Sequence, residues 1–465
     1  MRISKDKAFD AWVSTFELQM ANGVSPRLSE EAYAELLNYY DEAQQVDQGL
    51  EVLDLAIAQY PFCADFYLRK AALLLEKKAV GRAFETLDRA EHLGANGIEA
   101  LILRVEAFSV NESYASAESY LETLINSKNS IERQADLLVA QALLFEYQHA
   151  FERMYLILRA VLDLVPTHPF ALDKIGLAVE VLKCYPESIA LHQSIVDEHP
   201  YNAQAWFNLG QGYLYTGNYE RAVEAFEYAF IIDPLFEPAY REYIDLCLEL
   251  RQYDRVLRCY EELAQFFVIE IDDWLKIGQC YLYKGDFHKA DSLLREAIKQ
   301  DPFNAELYFL VGEGLSAQEE WWGAIHFYTK AIELEDQQEE YYAARGEVHF
   351  HLNQAEKAEA DFLKAIKLAP EAGNFWLQYT SFLMETGKQE LALEVFSEAE
   401  DQSNCSELLY GRVACLLTLG RRQEAIYRLG EALNQDYDSY GVLYELIPDL
   451  EKDLEIATLI SSYTY

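Results

Sequence analysis

Hydrophobic residues along this chain recur at intervals of three and four, the spacing that places side chains on one face of an α-helix. In one clear segment, Trp206, Leu209, Gly210 and Tyr213 follow an i, i+3, i+4, i+7 pattern. A second apolar stripe of helical spacing follows the turn-forming residues 216–218. The pattern predicts two amphipathic helices joined by a short turn.

This helix pair recurs with a period of 34 residues. The sequence WFNLGQGY at 206 is matched by WLKIGQCY at 274, two periods later. Nine units keep one register without an insertion, and three looser units precede them, the last with about three extra residues near 129–134. The units begin at 135, 169, 203, 237, 271, 305, 339, 373 and 407, and in the looser part near 30, 64 and 98. Self-similarity at this period predicts a repeat array of about twelve units.

Particular places within the unit carry residues of characteristic size. Large residues occupy the fourth place and belong to the apolar face of the first helix. Residues with little or no side chain occupy the eighth place, where they let a neighbouring helix approach closely. The glycines at this place are Gly176, Gly210, Gly278, Gly312 and Gly346. Alanine recurs at the twentieth place, on the inner face of the second helix, at Ala83, Ala117, Ala222, Ala290, Ala324, Ala358 and Ala392.

Prolines and glycines mark the ends of the predicted helices. Six prolines close units, because proline lacks the N–H and clashes with the preceding helical turn. They are Pro61, Pro166, Pro200, Pro234, Pro302 and Pro370. Gly210, Gly212 and Gly217 could be taken for a phosphate-binding loop. Gly210 recurs at equivalent places, Gly217 lies in a helix-to-helix turn, and no strand pattern precedes them, so we interpret these glycines as packing and turn residues.

The repeat resembles the tetratricopeptide repeat. WFNLGQGY (206–213), AVEAFEYA (222–229) and Pro234 match the W-x-x-L-G-x-x-Y, A-x-x-x-F-x-x-A and closing-proline signature. The resemblance covers roughly 30–436. It implies an all-α, right-handed superhelical solenoid of antiparallel helix pairs, with a concave groove that binds peptides or partner helices. We divide the chain into a leader or capping helix at 1–29, three divergent repeats at 30–134, nine in-register repeats at 135–436 and capping helices at 437–465.

The composition is strongly acidic, with 79 Asp and Glu against 38 Lys and Arg and a formal net charge of −41. Such a field repels nucleic-acid phosphates and anionic lipid surfaces, so we expect neither nucleic acid nor a membrane as a partner. It favours a basic peptide or protein, although solubility alone is an equal explanation. With 51% hydrophobic residues the chain can bury a large core.

Cysteine usage and hydropathy favour a reduced, cytoplasmic setting. Seven cysteines without a CxxC pair do not suggest a disulfide framework or a zinc site, and Cys247 falls on a predicted buried helix face. The first 19 residues lack the apolar stretch of a signal peptide, and no window has the 18 or more apolar residues of a membrane span.

If the family's groove geometry carries over, first-helix places outside the packing stripe line the binding groove. Aromatic side chains there provide anchoring area, amides and arginine bond a peptide backbone, and carboxylates suit basic ligand residues. The alternative is an ordinary solvated helix face. The predicted groove residues are Phe207, Gln211, Tyr215, Arg241, Asp245, Glu249, Leu275, Gln279, Tyr283, Phe309, Glu313, Glu347, Phe350 and His351.

Members of the family that clamp a C-terminal carboxylate use Lys and Arg at set groove places. The corresponding places here are apolar, amide or acidic except for Arg241, so we do not expect such a clamp. Outside the groove, Trp322 occupies a place that should face solvent, either as an exposed contact or covered by a neighbouring loop. The alternative to ligand binding is a structural module that self-associates, through Trp322 or the end helices.

No constellation in the sequence indicates catalysis or a bound cofactor. His349 and His351 stand two residues apart, on different sides of a helix, which is a weak arrangement for a metal site. Carboxylate pairs such as Glu319-Glu320 are abundant at this composition, and we interpret them as solvated. We therefore expect a non-enzymatic scaffold without metal or cofactor.

Overall fold

The computed structural model describes residues 12–20 and 26–463, and every regular element within these ranges is helical. The predicted all-α fold class is therefore confirmed. The chain divides into two compact units, Met1–Leu246 and Cys247–Tyr465. Of the predicted leader segment, residues 1–11 and 21–25 lie outside the described part of the chain.

In the first unit, short helices of similar length follow one another with tight connections. Residues 12–20 form helix α1, whose Val13 and Phe16 are buried. The helices that follow are α2 Glu30–Glu42, α3 Val46–Gln59, α4 Ala64–Glu76, α5 Val80–His92, α6 Ile98–Val110, α7 Tyr114–Ile125, α8 Ile131–Tyr147, α9 Phe151–Leu164, α10 Pro169–Leu182, α11 Tyr185–Glu198, α12 Ala203–Tyr215 and α13 Tyr219–Ile232. The unit boundary falls within α14, Glu237–Glu249.

The second unit continues the same alternation and ends in shorter elements. Its helices are α15 Tyr253–Leu263, α16 Ile271–Tyr283, α17 Phe287–Gln300, α18 Ala305–Ser316, α19 Trp321–Leu334, α20 Glu339–His351, α21 Ala355–Leu368, α22 Gly373–Glu385, α23 Gln389–Gln402, α24 Glu407–Thr418, α25 Arg422–Gln435, α26 Gly441–Leu446 and α27 Leu454–Ser461. From α2 to α25, even-numbered helices are the first helices of the predicted units and odd-numbered helices the second. Among the described residues, no helix combines the length and apolar character needed to cross a lipid bilayer.

First helices begin where the 34-residue register predicts, with one instructive departure. Asparagine side chains cap two of the described first helices: Asn202 accepts from the Ala205 N–H at 2.8 Å, and Asn304 accepts from the Leu307 N–H at 3.2 Å. Helix α8 instead begins at Ile131, four residues before the predicted start at 135, and Ser130 caps it by accepting from the Arg133 N–H. The extra residues near 129–134 therefore form an additional turn at the start of a first helix, not a longer loop.

The aromatic residue at the fourth place ties the first helix to the segment that precedes it. The Trp206 indole donates to the Pro200 carbonyl, and Trp376 donates to Pro370, both at 2.8 Å. The Tyr308 hydroxyl donates to the Pro302 carbonyl at 3.2 Å. Since tryptophan and tyrosine carry a donor at the ring edge, they fill the apolar stripe and also satisfy a carbonyl that a helix end leaves unpaired.

A residue in the left-handed conformation ends each first helix from α2 to α24. Gly217 has φ +75°, and the N–H of the following Asn218 bonds the Tyr213 carbonyl at 2.9 Å, as in a Schellman motif. Only four of these twelve turns have glycine at this residue. The other eight hold Gln44, Lys78, Glu112, His149, Lys183, Arg251, Glu319 and Asn353 with φ between 53° and 60°. These turns form even where the residue is sterically disfavoured, so helix packing imposes the turn.

Glycine at the eighth place lets a large side chain of the second helix approach the first. A Cβ added at Gly210 would lie 2.6 Å from the Phe226 ring, and one added at Gly312 would lie 2.6 Å from the Tyr328 ring. Real Cβ atoms do not approach so closely, and the packing interpretation is confirmed at these sites. Gly176 is an exception to this prediction, because a Cβ there would meet nothing within 4 Å.

The exception follows from the residue across from Gly176. The twenty-fourth place holds Phe226, Tyr328 or another large side chain in most in-register units but His192 in this one. His192 is fully buried and turns to polar partners: its Nδ1 lies 2.9 Å from the Ser188 carbonyl, and its Nε2 lies 3.2 Å from Asn208 Nδ2. The carbonyl can only accept, so Nδ1 carries the proton and Nε2 accepts from the Asn208 amide.

These bonds require a neutral imidazole. Burial lowers the pKa of His192 to about 4, because a charged ring would lose its hydration, and the bond to the Ser188 carbonyl opposes this only in part. The Asn208 amide also donates to the Leu172 carbonyl at 2.7 Å, which fixes its orientation. A second proton on His192 would place two donors against each other.

The C-terminal segment packs on the last helix pair. After α25 the chain forms 3-10 turns at Asp438–Tyr440 and Pro448–Lys452 around α26, followed by α27. Leu443, Ile456 and Ile460 join one buried cluster with residues of α24 and α25. They cover the apolar face of the terminal pair, as an end cap of a repeat array must do.

Replacing Glu319 with glycine should raise the free energy of unfolding by about 0.5–1 kcal/mol, because glycine adopts the left-handed conformation without steric cost. Urea denaturation followed by circular dichroism measures the change. Glu320→Gly is the matched control: Glu320 is equally exposed but has φ −81°, so glycine there should lower stability. Equal effects of both substitutions would contradict the conformational explanation.

Acidification should destabilise the first unit through His192. The pKa of the folded state lies below that of the unfolded state, so stability present at neutral pH is lost as pH falls from about 6.5 towards 4. The free energy of unfolding should fall by about 1.4 kcal/mol per pH unit in this range, and by about 3 kcal/mol in all. Urea denaturation at several pH values should give a shallower pH dependence for His192→Gln, whereas the exposed-site control His288→Gln should match the unmodified chain. Identical slopes for all three proteins would disprove this role.

Candidate functional site

In the first unit, the predicted groove residues of α12 line a cavity of about 300 Å³. Phe207, Gln211 and Tyr215 face it together with side chains of α10, α11 and α14. The helices leave this space because Gly176 has no covering side chain. The structure therefore brings three predicted residues together around an opening on the first-helix side of the unit.

Aromatic rings form much of the cavity wall. Tyr215, which is 53% exposed, stacks on Tyr185 with ring centroids 4.8 Å apart and planes at 15°. Phe207 is half-buried and meets Phe236 edge-on at 5.2 Å and Phe226 at 5.7 Å. The rings hold each other in place, so the wall presents fixed apolar faces.

Carboxylates surround the same cavity. Asp173 and Glu180 come from α10, and Glu242 comes from α14. Burial raises the pKa of Glu242, and the nearby charge of Asp245 adds to this, while a hydrogen bond donated by Gln211 opposes it. Glu242 is therefore an acid that would gain from a positively charged partner.

The other predicted residues of α14 do not line this cavity. Arg241 forms an ion pair with Glu237 one turn away, at 2.9 Å. Asp245 is exposed on the same helix. Neither is among the residues that surround the opening.

In the second unit, the three predicted groove residues of α16 differ in exposure. Tyr283 is 72% exposed and stacks on Tyr253, with centroids 5.1 Å apart and planes at 10°. Gln279 is half-buried on the same helix. The placement of Leu275 in the groove is wrong: this side chain is buried in a cluster with Leu307 and Leu310, because the neighbouring α18 covers it.

Glu313 is held inside the first-helix layer by a tyrosine. The Tyr328 hydroxyl donates to the Glu313 carboxylate at 2.5 Å. Burial raises the pKa of Glu313, the nearby charge of Glu347 raises it further, and the Tyr328 bond opposes both. Phe309 packs between the Tyr328 and Tyr341 rings, at 5.6 and 4.8 Å. Glu313 and Phe309 thus already make contacts with other residues of the chain.

A second cavity, of about 330 Å³, lies farther along this unit between α20 and α22. Glu347, Phe350 and His351 line it with Phe382 and Glu385. Phe350 meets Phe382 edge-on at 5.3 Å. This cavity combines an aromatic floor with two exposed carboxylates, Glu347 and Glu385.

The tandem tryptophans and the histidine pair have distinct surroundings. Trp321 stacks on His351 at 4.6 Å and 13°. Trp322 is 69% exposed, so the alternative in which a neighbouring loop covers it is wrong. His349 is buried and His351 exposed, as expected for opposite helix sides. Among the described residues, no group of three or more His, Cys, Asp or Glu is arranged to hold a metal ion, and Cys247 is buried as predicted.

Sequence reasoning missed the polar residues around the first cavity. Gly176 resembles Gly210 in sequence, and nothing local distinguishes their surroundings. The available signal was His192, the histidine at a twenty-fourth place that otherwise holds a large apolar residue in most in-register units. Glu242 was missed because it is the sixth residue of its unit, a place that belongs neither to the predicted packing stripe nor to the predicted groove positions.

Comparison with known families finds the same repeat at several places in the chain. Models described as "Tetratricopeptide repeat" match residues 203–236, 35–98, and 274–304 with 339–371. These segments coincide with antiparallel helix pairs or parts of them in both units.

Individual relatives are distant. The chain is 24% identical to Anaphase-promoting complex subunit 3 of Schizosaccharomyces pombe over 54% of this chain and 37% of that protein. It is 20% identical to TPR repeat-containing protein YpiA of Bacillus subtilis over 81% of this chain and 80% of that protein. It is 23% identical to BBSome complex member BBS4 of Bos taurus over 47% and 42%. The chain thus spans less than half the length of the first and last of these relatives.

Among solved structures, the APC/C hetero-tetramer Cut9-Hcn1 aligns over 94% of this chain and 97% of the matched chain, with 13% identity and a TM-score of 0.36. The assignment to a family therefore depends on the repeat matches and on the helix pairs themselves. Together they show that this chain contains tetratricopeptide repeats in both units.

Proposed function

We propose that the chain is a non-enzymatic scaffold or adaptor that holds a basic, or mixed apolar and basic, segment of a partner protein against its first-helix face. Tetratricopeptide-repeat proteins mediate protein–protein interaction. The observation that carries the finer proposal is that each unit has a cavity on this face where aromatic walls and carboxylates occur together.

The chemistry of the second cavity suits such a segment. Phe350 and Phe382 offer apolar area to a ligand side chain, and Glu347 and Glu385 stand exposed at the edge. An aliphatic residue followed by lysine or arginine would satisfy both features. The net charge of −41 would also speed the approach of a basic partner at low salt.

Two relatives support the scaffold role by their names. Anaphase-promoting complex subunit 3 and BBSome complex member BBS4 are named as parts of multiprotein complexes. A similar role for this chain is a proposal, because the matches cover less than half of either relative. Cytoplasmic location stays a prediction from the sequence.

The groove proposal predicts binding of a fluorescein-labelled nonapeptide pool built from Lys, Arg, Leu and Gly, but not of a pool with Asp and Glu replacing the basic residues. Fluorescence polarisation measures both. Combining Glu347→Lys with Glu385→Lys should weaken binding of the basic pool about ten-fold, which corresponds to roughly 1.4 kcal/mol, and should flatten its salt dependence.

The control for this experiment changes the same amount of charge elsewhere. Glu356→Lys with Glu394→Lys reverses two exposed carboxylates on the second helices α21 and α23. The control pair should alter affinity by less than about two-fold, since salt screens charges beyond roughly 10 Å. Equal weakening by both pairs would mean that net charge, not the first-helix face, determines binding.

Self-association is a second candidate, favoured by the exposure of Trp322. If this side chain joins two copies, the mass measured by light scattering should rise with protein concentration, and Trp322→Ser should keep the protein monomeric. Tyr427→Ser, at another exposed aromatic residue, is the control. A constant monomer mass at every concentration would eliminate this candidate.

A further inference from the structure

We propose that the cavity beside Gly176 receives an arginine side chain of the bound segment. This inference deepens the proposed function and rests on it, since it specifies one side chain of the partner. It is argued from the origin of the cavity, its walls, its charge and its floor.

The cavity is a place that the repeat normally fills and that is open here. At Gly210 the ring of Phe226 lies within 2.6 Å of where a Cβ would be, and at Gly278 the Leu294 side chain lies within 2.5 Å. A Cβ added at Gly176 would meet no side chain or neighbouring helix within 4 Å, and a space of about 300 Å³ remains. A side chain from a partner can occupy the volume that an internal side chain occupies in other repeats.

The walls suit a flat cation. The stacked Tyr185 and Tyr215 rings and the half-buried Phe207 line the opening. The face of an aromatic ring is negatively polarised and attracts cations within about 6 Å. A guanidinium is planar and weakly hydrated, so it stacks on such rings more readily than the compact ammonium of lysine does.

The charges around the cavity have one sign. Asp173 and Glu180 approach it from α10 and Glu242 from α14, whereas no lysine or arginine is among its described lining residues. Because these carboxylates stand on different helices, a group with several diverging N–H donors can reach more of them than a point charge can. A bound metal ion is less suited, since the carboxylates do not converge on one point.

The floor is rigid and neutral. His192, Asn208 and Gln204 form a chain of hydrogen bonds in which Gln204 donates to the Asn208 carbonyl oxygen at 3.1 Å. His192 is 0% exposed and has both ring nitrogens engaged. The floor therefore stays uncharged at neutral pH and does not repel a cation above it.

The test uses N-acetyl-arginine methylamide as the probe and saturation-transfer NMR at pH 7 and low salt as the measurement. We expect transfer to the side-chain protons of this probe, and about five-fold less to the matching citrulline and lysine compounds, which lack the charge or the planar fork. Gly176→Leu should remove the signal, because it fills the cavity as other repeats do. Leucine also has the higher helix propensity, so the variant should fold.

Two further variants complete the design. Gly81→Leu is the matched control, because a Cβ at Gly81 also meets nothing within 4 Å and this helical glycine is far along the chain from the cavity; it should leave the signal unchanged. Glu242→Gln should reduce the signal about five-fold. Equal transfer to the arginine and citrulline probes, or full transfer with Gly176→Leu, would overturn the proposal.

The arginine probe and the basic peptide pool together distinguish failure of this inference from failure of the proposed function. If the basic peptide pool binds and depends on Glu347 and Glu385 while the arginine probe gives no signal, the cavity assignment fails and the groove proposal stands. If the arginine probe behaves as expected but Glu347 and Glu385 do not affect peptide binding, the assignment of the cavity survives and the groove proposal is overturned.

Discussion

The close approach of two helices within each repeat is the contact on which the rest of the fold depends. At four of the five glycines at the eighth place, an aromatic or leucine side chain of the second helix lies directly against the backbone of the first, as with Gly312 and Tyr328. This contact sets the distance between the helices, and the left-handed turn between them then follows, even at a residue such as Glu319 that disfavours it. Where this contact is missing, between Gly176 and His192, a cavity of about 300 Å³ lies beside the glycine.

Many arginines and lysines of this acidic chain form ion pairs among the described residues, and these pairs affect what a partner meets. Arg345 donates two hydrogen bonds to Asp361 at 2.8 Å, and Arg104 is buried between Asp88 and Glu91. Such cations tie helices together, and truncating Arg345 would remove the main partner of the buried Asp361 carboxylate. The carboxylates that remain beyond these pairs, including Glu347 and Glu242, are the ones available to a ligand.

Much of the fold could be predicted from sequence because it depends on local, periodic features. The period placed the starts of α12 and α16 correctly, and the signature of Trp206 and Pro234 identified the family. The site was less predictable, because the direction of a side chain depends on the neighbouring repeat. Leu275 and Gln279 lie on one helix, yet Leu275 is buried against α18 whereas Gln279 is half-buried. Gly176 and Gly210 occupy the same place in the repeat. A cavity lies beside Gly176 because His192, and not a large apolar residue such as Phe226, stands opposite it.

The ring stacks recur with a longer period than the repeat itself. Tyr185 with Tyr215, Tyr253 with Tyr283 and Trp321 with His351 join the start of a second helix to the end of the next first helix, and they recur 68 residues apart. The intervening repeats lack such a pair, so neighbouring modules are not interchangeable even though their backbones are. Excising one module would bring two unlike edges together and break the alternation, whereas excising two would preserve it. The smallest piece of this chain that can be duplicated or lost without disturbing its pattern is therefore a pair of repeats.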